Sequence, residues 1–275
     1  MDADLMASVA AYFDDSGTHL QSDVAVAACL ISDVRRWELF ETEWKSILSE
    51  AGILECGFHM ADFVARKPPF DAWEESKRDD VIKELVAAIG SRALDGMVTA
   101  VIKSDYDRLV TGKLREKLGR HHYTFAIQSC LAFIEQWRLL NSQESIDFIF
   151  DQMGKGKNEI NDLFDDLIEH KLAVQFGIEP RGWSFRNRKF VVQLQGSDIL
   201  AWEANKYIRE NQFTGKPPRK SFVSLIDQVD VKTRFFDNSS LPDFASDVTS
   251  RYEAINWAGP LGGFFTHVPP AHRTC

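Results

Sequence analysis

Residues Val9 to Gly17 read V-A-A-Y-F-D-D-S-G, and no other stretch constrains the fold as much. Apolar residues able to pack on both faces of a strand run straight into two adjacent carboxylates, and Ser16-Gly17 then turns the chain. An unpaired ionised carboxylate beside a core costs several kcal/mol or more, so acids in such a place meet cations, donors or a metal. A solvated acidic hairpin turn and a functional pair of carboxylates are both compatible with these nine residues taken alone.

The segments that follow interleave strands with helices. Val24 to Ile31 is an apolar run of strand length, joined to the first strand by a hairpin connection over Gly17 to Asp23. A helix is expected from about Asp33, with Trp37, Phe40, Trp44, Ile47 and Leu48 on one face and Gly52 capping its end. Ile53 to Met60 reads as a short strand, and Pro68-Pro69 breaks the chain after it. Further helices are expected over Glu74 to Ile89, His122 to Leu140, Asn158 to Ala173 and Leu194 to Arg209, and strands over Met97 to Ile102 and Ile146 to Asp151. The alternation in Trp183-Ser184-Phe185 suits a half-buried strand with a basic outer face, and Phe222 to Ile226 is strand-like. The sequence shows no repeat and no convincing linker. It is read as one α/β domain over residues 1–215, with a C-terminal extension over 216–275, Gly- and Pro-rich from Gly259 to Pro270, packed on the same domain.

Two of the strands end in carboxylates, Asp14 and Asp151, which would place both at the carboxyl edge of an α/β sheet. The helix carrying Gln195 to Trp202 supplies a third acid. Asp198 shares a face with Ala201, Trp202 and Asn205, so its carboxylate points the same way as an apolar stripe. A helix-terminal Asp favoured by the macrodipole is the plainer account of that residue. Taken together, Asp14, Asp151 and Asp198 could hold two Mg²⁺ or Mn²⁺ ions, which prefer oxygen ligands. Two such ions about 3.5–4 Å apart activate a water and stabilise the leaving oxygen of a phosphodiester, with no nucleophilic side chain required.

The motifs also resemble those of a known family, domain of unknown function 3800. Its members open on a D-E-S-G strand end, carry an apolar strand ending in Asp, and have a late L-Q-x-A-D-x-x-A helix. Here these stand as Asp14-Asp15-Ser16-Gly17, Phe148-Ile149-Phe150-Asp151 and Leu194-Gln195-Gly196-Ser197-Asp198-Ile199-Leu200-Ala201, and Phe58-His59-Met60-Ala61-Asp62 resembles the family's His-containing motif. The match spans residues 9 to about 210. The resemblance implies a ribonuclease H-like mixed sheet flanked by helices and a two-metal phosphodiesterase site. Asp14, Asp151 and Asp198 would then be both catalytic and metal-binding, His59 catalytic, and Asp15, Asp62 and Gln195 supporting. Asp15 stands where the family has Glu, and Ser197 where it has a small apolar residue. The first helix offers no clear glutamate of the kind ribonuclease H enzymes use, which leaves His59 or Asp62 for that role, or the fourth ligand absent.

His59 reads equally as a satisfied structural histidine, and His121-His122 as helix-start residues. Gly154-Lys155-Gly156-Lys157 follows Asp151 and offers backbone donors and two cations to a phosphate chain, or a solvated turn; it is not a P-loop. Arg181, Arg186, Arg188 and Lys189 interleave with Trp183, Phe185 and Phe190, a composition suited to tracking a backbone and stacking bases. Lys155, Lys157, Arg186 and Arg188 are accordingly the candidate substrate contacts, and DNA or RNA the expected partner. The formal net charge of -9 argues against a simple nucleic-acid-coating protein but not against a metal-dependent nuclease, whose site is itself acidic. The 20 Phe and 7 Trp predict an aromatic core, and the four widely spaced cysteines predict reduced thiols. No apolar run is long enough to cross a bilayer, and the acidic start is unlike a signal peptide, so a cytoplasmic location and no membrane partner are expected. A catalytically weak relative that binds nucleic acid or a protein through the same face is the second functional class, and hydrolysis of a small phosphoester a third.

Overall fold

A computed structural model describes residues 8–141, 143, 145–152, 156–169 and 182–246. Its order is β1 (Val9–Ser16), β2 (Val24–Asp33), α1 (Val34–Ala51), α2 (Met60–Val64), α3 (Glu75–Arg92), β3 (Asp95–Ile102), α4 (Lys103–Leu109), α5 (Gly112–Leu118), α6 (His122–Leu140), β4 (Ile146–Asp151), α7 (Lys157–Glu169), β5 (Trp183–Arg186), α8 (Gln193–Thr214), α9 (Lys220–Gln228) and β6 (Val231–Phe236). The strands form one six-stranded sheet in the order β5-β4-β1-β2-β3-β6. β2 is antiparallel to both β1 and β3, whereas β4 pairs parallel with β1 and β5, and β6 parallel with β3. Five strands therefore end at one edge of the sheet, and only β2 starts there.

Alternation along the strands divides the core into two layers. Val9, Ala11 and Phe13 of β1 and Ala25, Ala27, Cys29 and Ile31 of β2 pack with α6 and α7. Ala10 of β1 and Val24, Val26, Ala28 and Leu30 of β2 pack with α1, α3, α8 and α9. Burial on both faces is why β2 reads as an unbroken apolar run. The core is aromatic as expected: Phe13, Phe148, Phe150, Phe164 and Trp183 stack on one side of the sheet. On the other side Tyr12, Trp37, Phe40 and Trp44 form a continuous chain of ring contacts.

α1 forms where the periodicity places it. Asp33 Oδ1 accepts the backbone N–H of Arg36 at 2.8 Å, Trp37, Phe40, Trp44 and Leu48 face inward, and Gly52 closes the helix. Two segments differ from expectation. Ile53 to Met60 is not a strand: Cys56 and Gly57 both bond back to the Ile53 carbonyl, and the Phe58 and Met60 N–H groups go to side chains of α8 instead of a neighbouring strand. Phe222 to Ile226 is not a strand either. It lies in α9, whose Phe222 and Leu225 are buried, and the strand comes later as β6, which widens the sheet beyond β3. Residues beyond 215 thus contribute a helix and a strand to the same sheet; Gly259 to Pro270 lies outside the described residues. Among the described residues, no helix is long and apolar enough to cross a membrane.

Candidate active site

Strand parity builds the site. Phe13 and Phe150 are register partners on adjacent parallel strands, and both face the α6/α7 layer. The next residue on each strand, Asp14 and Asp151, must then face the opposite layer, where α8 lies. α8 is tied closely to the strand that carries Asp14. Ser197 Oγ donates to the Tyr12 carbonyl at 2.7 Å, and a Cβ on Gly196 would come within 3.3 Å of both Leu30 and Phe40. The Ser197 hydroxyl is thus a hydrogen-bond donor to β1. Two turns on, Asn205 Nδ2 donates to the Val24 carbonyl at 3.1 Å. Gly17 fits beneath this contact with φ +70°; a Cβ there would collide with the Val24 carbonyl and the Asn205 amide.

With α8 so placed, Asp198 comes close enough to Asp14 for its charge to raise the Asp14 carboxyl, and the charge of Asp151 acts on both. Asp14 is 2% exposed and Asp198 4%. Asp14 Oδ1 accepts the Asp15 N–H at 2.8 Å, and its buried Oδ2 has no hydrogen-bond partner among the described residues. Asp198 Oδ2 accepts the Met60 N–H at 2.7 Å. Arg188 stands among the acids, its Nη1 3.8 Å from Asp14 Oδ2 and 3.5 Å from Asp151 Oδ2. Burial raises the Asp14 carboxyl well above the usual carboxylate range. The charges of Asp198, Asp15 and Asp151 push it further, and Arg188 only partly offsets them. Asp198 is raised by burial too, against the pull of His59 and Arg188.

His59 sits beside this group as the residue before α2. Its Nε2 lies 4.0 Å from Asp198 Oδ1 and its Nδ1 2.6 Å from Asp62 Oδ2, and Asp62 Oδ1 in turn takes Lys67 Nζ at 2.9 Å. Burial works against ionisation of Asp62, but the bonds from His59 and Lys67 prevail and hold its carboxyl below the usual range. Gln195 is fully buried. Its Oε1 accepts from Trp44 Nε1 (2.8 Å) and the Phe58 N–H (3.0 Å), and its Nε2 donates to the Arg188 carbonyl (2.8 Å).

The other predicted residues divide by face. Asp15 projects away from the trio and bonds Thr18, and burial raises its carboxyl. Arg186 of β5 is the register partner of Asp151, so it shares the row and face of the acids, and it is exposed. Lys157 is on the far side of the sheet from the acids, at the start of α7, over the ring of Phe185 at 4.9 Å. Lys155 and Arg181 lie outside the described residues. Arg188 differs most from expectation, since it turns inward instead of lining an outer surface. Alternation along β5 accounts for Arg186 on the acid face, but β5 ends there; Arg188 lies in the turn that follows and is placed by its backbone bonds to Asp151 and Gln195.

Among the described residues, no three His, Cys, Asp or Glu side chains are gathered tightly enough to hold a metal ion. The acids converge without closing. Ionised carboxylates repel one another unless a cation lies between them, and the cation found between Asp14 and Asp151 is a guanidinium. In donor chemistry the set still fits a hard divalent ion, being all oxygen and including one buried oxygen that no described residue satisfies.

No family model matches the chain, and no curated protein matches it. Among solved structures it is similar to the PCNA:RNase HII complex from Archaeoglobus fulgidus, at 10% identity and a TM-score of 0.37, over 81% of this chain and 87% of that one. The fold is a mixed six-stranded α/β sheet flanked by helices, in the strand order given above, with β2 antiparallel to both of its neighbours.

Proposed function

We propose that this chain is a Mg²⁺- or Mn²⁺-dependent nuclease, or a closely related phosphodiesterase, with Asp14, Asp151 and Asp198 as the metal ligands. The observation that carries this reading is the buried Asp14 carboxylate, crowded by other acids and with one oxygen unsatisfied among the described residues, at the carboxyl edge of the parallel pair β1 and β4. Bound divalent ions would activate a water and stabilise the leaving oxygen. The chain's own residues supply the rest. His59, oriented by Asp62, holds a ring nitrogen beside Asp198, where it can take up or deliver a proton. Arg186 and Lys189, with the 81%-exposed Phe190, offer cations and a stacking ring to a nucleic-acid strand beside the acids. The motif resemblance to domain of unknown function 3800 supports the same assignment.

One observation favours a second reading, a non-catalytic binding protein: Arg188 already counters two of the three acids. Cleavage of labelled single-stranded DNA, RNA and duplexes, with free nucleotides assayed alongside, decides between them. Mn²⁺-dependent cleavage is expected, with Asp14→Asn lowering it by about a hundredfold or more. Unchanged cleavage by Asp14→Asn, or no metal binding at millimolar Mn²⁺, sinks the enzymatic reading.

A further inference from the structure

Arg188 is fixed at its backbone and unfixed at its tip. Its N–H donates to Asp151 Oδ1 at 3.3 Å and its carbonyl accepts from Gln195 Nε2 at 2.8 Å. Gln195 is locked in turn by Trp44 and Phe58. The position of residue 188 is therefore set by contacts that ignore its guanidinium. The guanidinium itself approaches Asp14 and Asp151 only to 3.8 and 3.5 Å, beyond good hydrogen-bond length, and the side chain remains 28% exposed. It is a single charge on a four-bond stem with a way out to solvent. Asp14 Oδ2, meanwhile, is buried with no hydrogen-bond partner among the described residues.

We infer that Arg188 is an internal counter-ion: it occupies the cation position between Asp14 and Asp151 in the ion-free protein, and a divalent ion must displace it. The inference rests on the metal-site reading above. A divalent ion brings twice the charge and short bonds to oxygen, and it repels a guanidinium at the same spot, so the two cations exclude one another. Once expelled, the guanidinium pivots about a fixed Cα on the face where Arg186 stands exposed and next in sequence to Lys189. The ligand it then meets is a phosphodiester oxygen. Filling the acidic site thus completes the basic edge, and by linkage a bound phosphate backbone tightens the divalent ion.

Calorimetric titration of the full chain with Mn²⁺ tests this in the wild type, Arg188→Ala and Arg188→Gln. Both substitutions keep the two backbone bonds, and the Gln variant serves if the Ala variant folds poorly. Removing the competitor is expected to tighten Mn²⁺ about tenfold. In the wild type, the Arg188 Nε–H resonance, identified by its loss in the variant, is expected to shift on addition of Mg²⁺ alone. Equal or weaker Mn²⁺ binding by the variants overturns the counter-ion role while leaving the metal site standing. No Mn²⁺ binding by any of the three proteins overturns both.

Discussion

Asp14 is the residue whose chemistry the fold disturbs most. Because burial and its acidic neighbours raise its carboxyl, the ion-free fold gains stability from the protonated form, and that contribution fades as pH rises through the raised value. Asp14→Asn keeps the acceptor for the Asp15 N–H and discards the charge. In metal-free buffer it is expected to melt above the wild type at neutral pH, by about 2–4 °C for each kcal/mol relieved, with the gap closing below the ordinary carboxylate value of 3.8. A variant that melts at the same temperature throughout contradicts the account of a strained acid. The three aspartates were legible in the sequence because a charge at the end of an apolar strand or on a packing face is anomalous on its own. The inward turn of Arg188 was much less so, since it depends on a loop whose shape is set by Gln195, 7 residues further on.

α8 is the element that assembles the site. It delivers Asp198, tethers β1 through Ser197, shapes the Gly17 turn through Asn205, and holds both the Phe58 segment and Arg188 through Gln195. Gln195→Leu leaves the Trp44 indole and the Phe58 N–H buried without an acceptor, and is expected to cost about 1–3 kcal/mol for each group stranded, read from denaturant midpoints. A loss below about 0.5 kcal/mol would show that Gln195 is no brace. The same capture of backbone donors by side chains explains why 53–60 resembled a strand in sequence: its apolar content was visible, but the partners of its N–H groups came from a helix over a hundred residues away. Phe222 to Ile226 failed for a different reason. Its run is short enough that helix and strand periodicities score alike, and only burial of Phe222 with Leu225, three apart, separates them.

Over the whole molecule, strand alternation places the acids on one side of the sheet, while Lys157, close to Asp151 in sequence, opens α7 on the other. The sheet's far side depends on residues beyond 215: β6 covers the edge of β3, and Gln228 of α9 packs against Gly90 of α3. Truncation after Gly215 bares a parallel edge and the surface under Phe222 and Leu225. Loss of monomeric protein on gel filtration is expected, because open strand edges template association. A monodisperse, equally stable fragment would mean that these residues are an appendage.

The parallel pairing of β1 with β4 joins Val9 to Ile146, and the third acid arrives only with Asp198. Contacts between such distant points are slow to form, because the entropy of closing the intervening chain is lost before they reward it. During synthesis, a growing chain therefore carries its opening strand for a long interval with Asp14 still hydrated and unopposed, and meets the electrostatic penalty only when the last partners have emerged. Divalent-ion affinity would then register completion of the native topology, since no partial chain ending before residue 198 holds all three ligands.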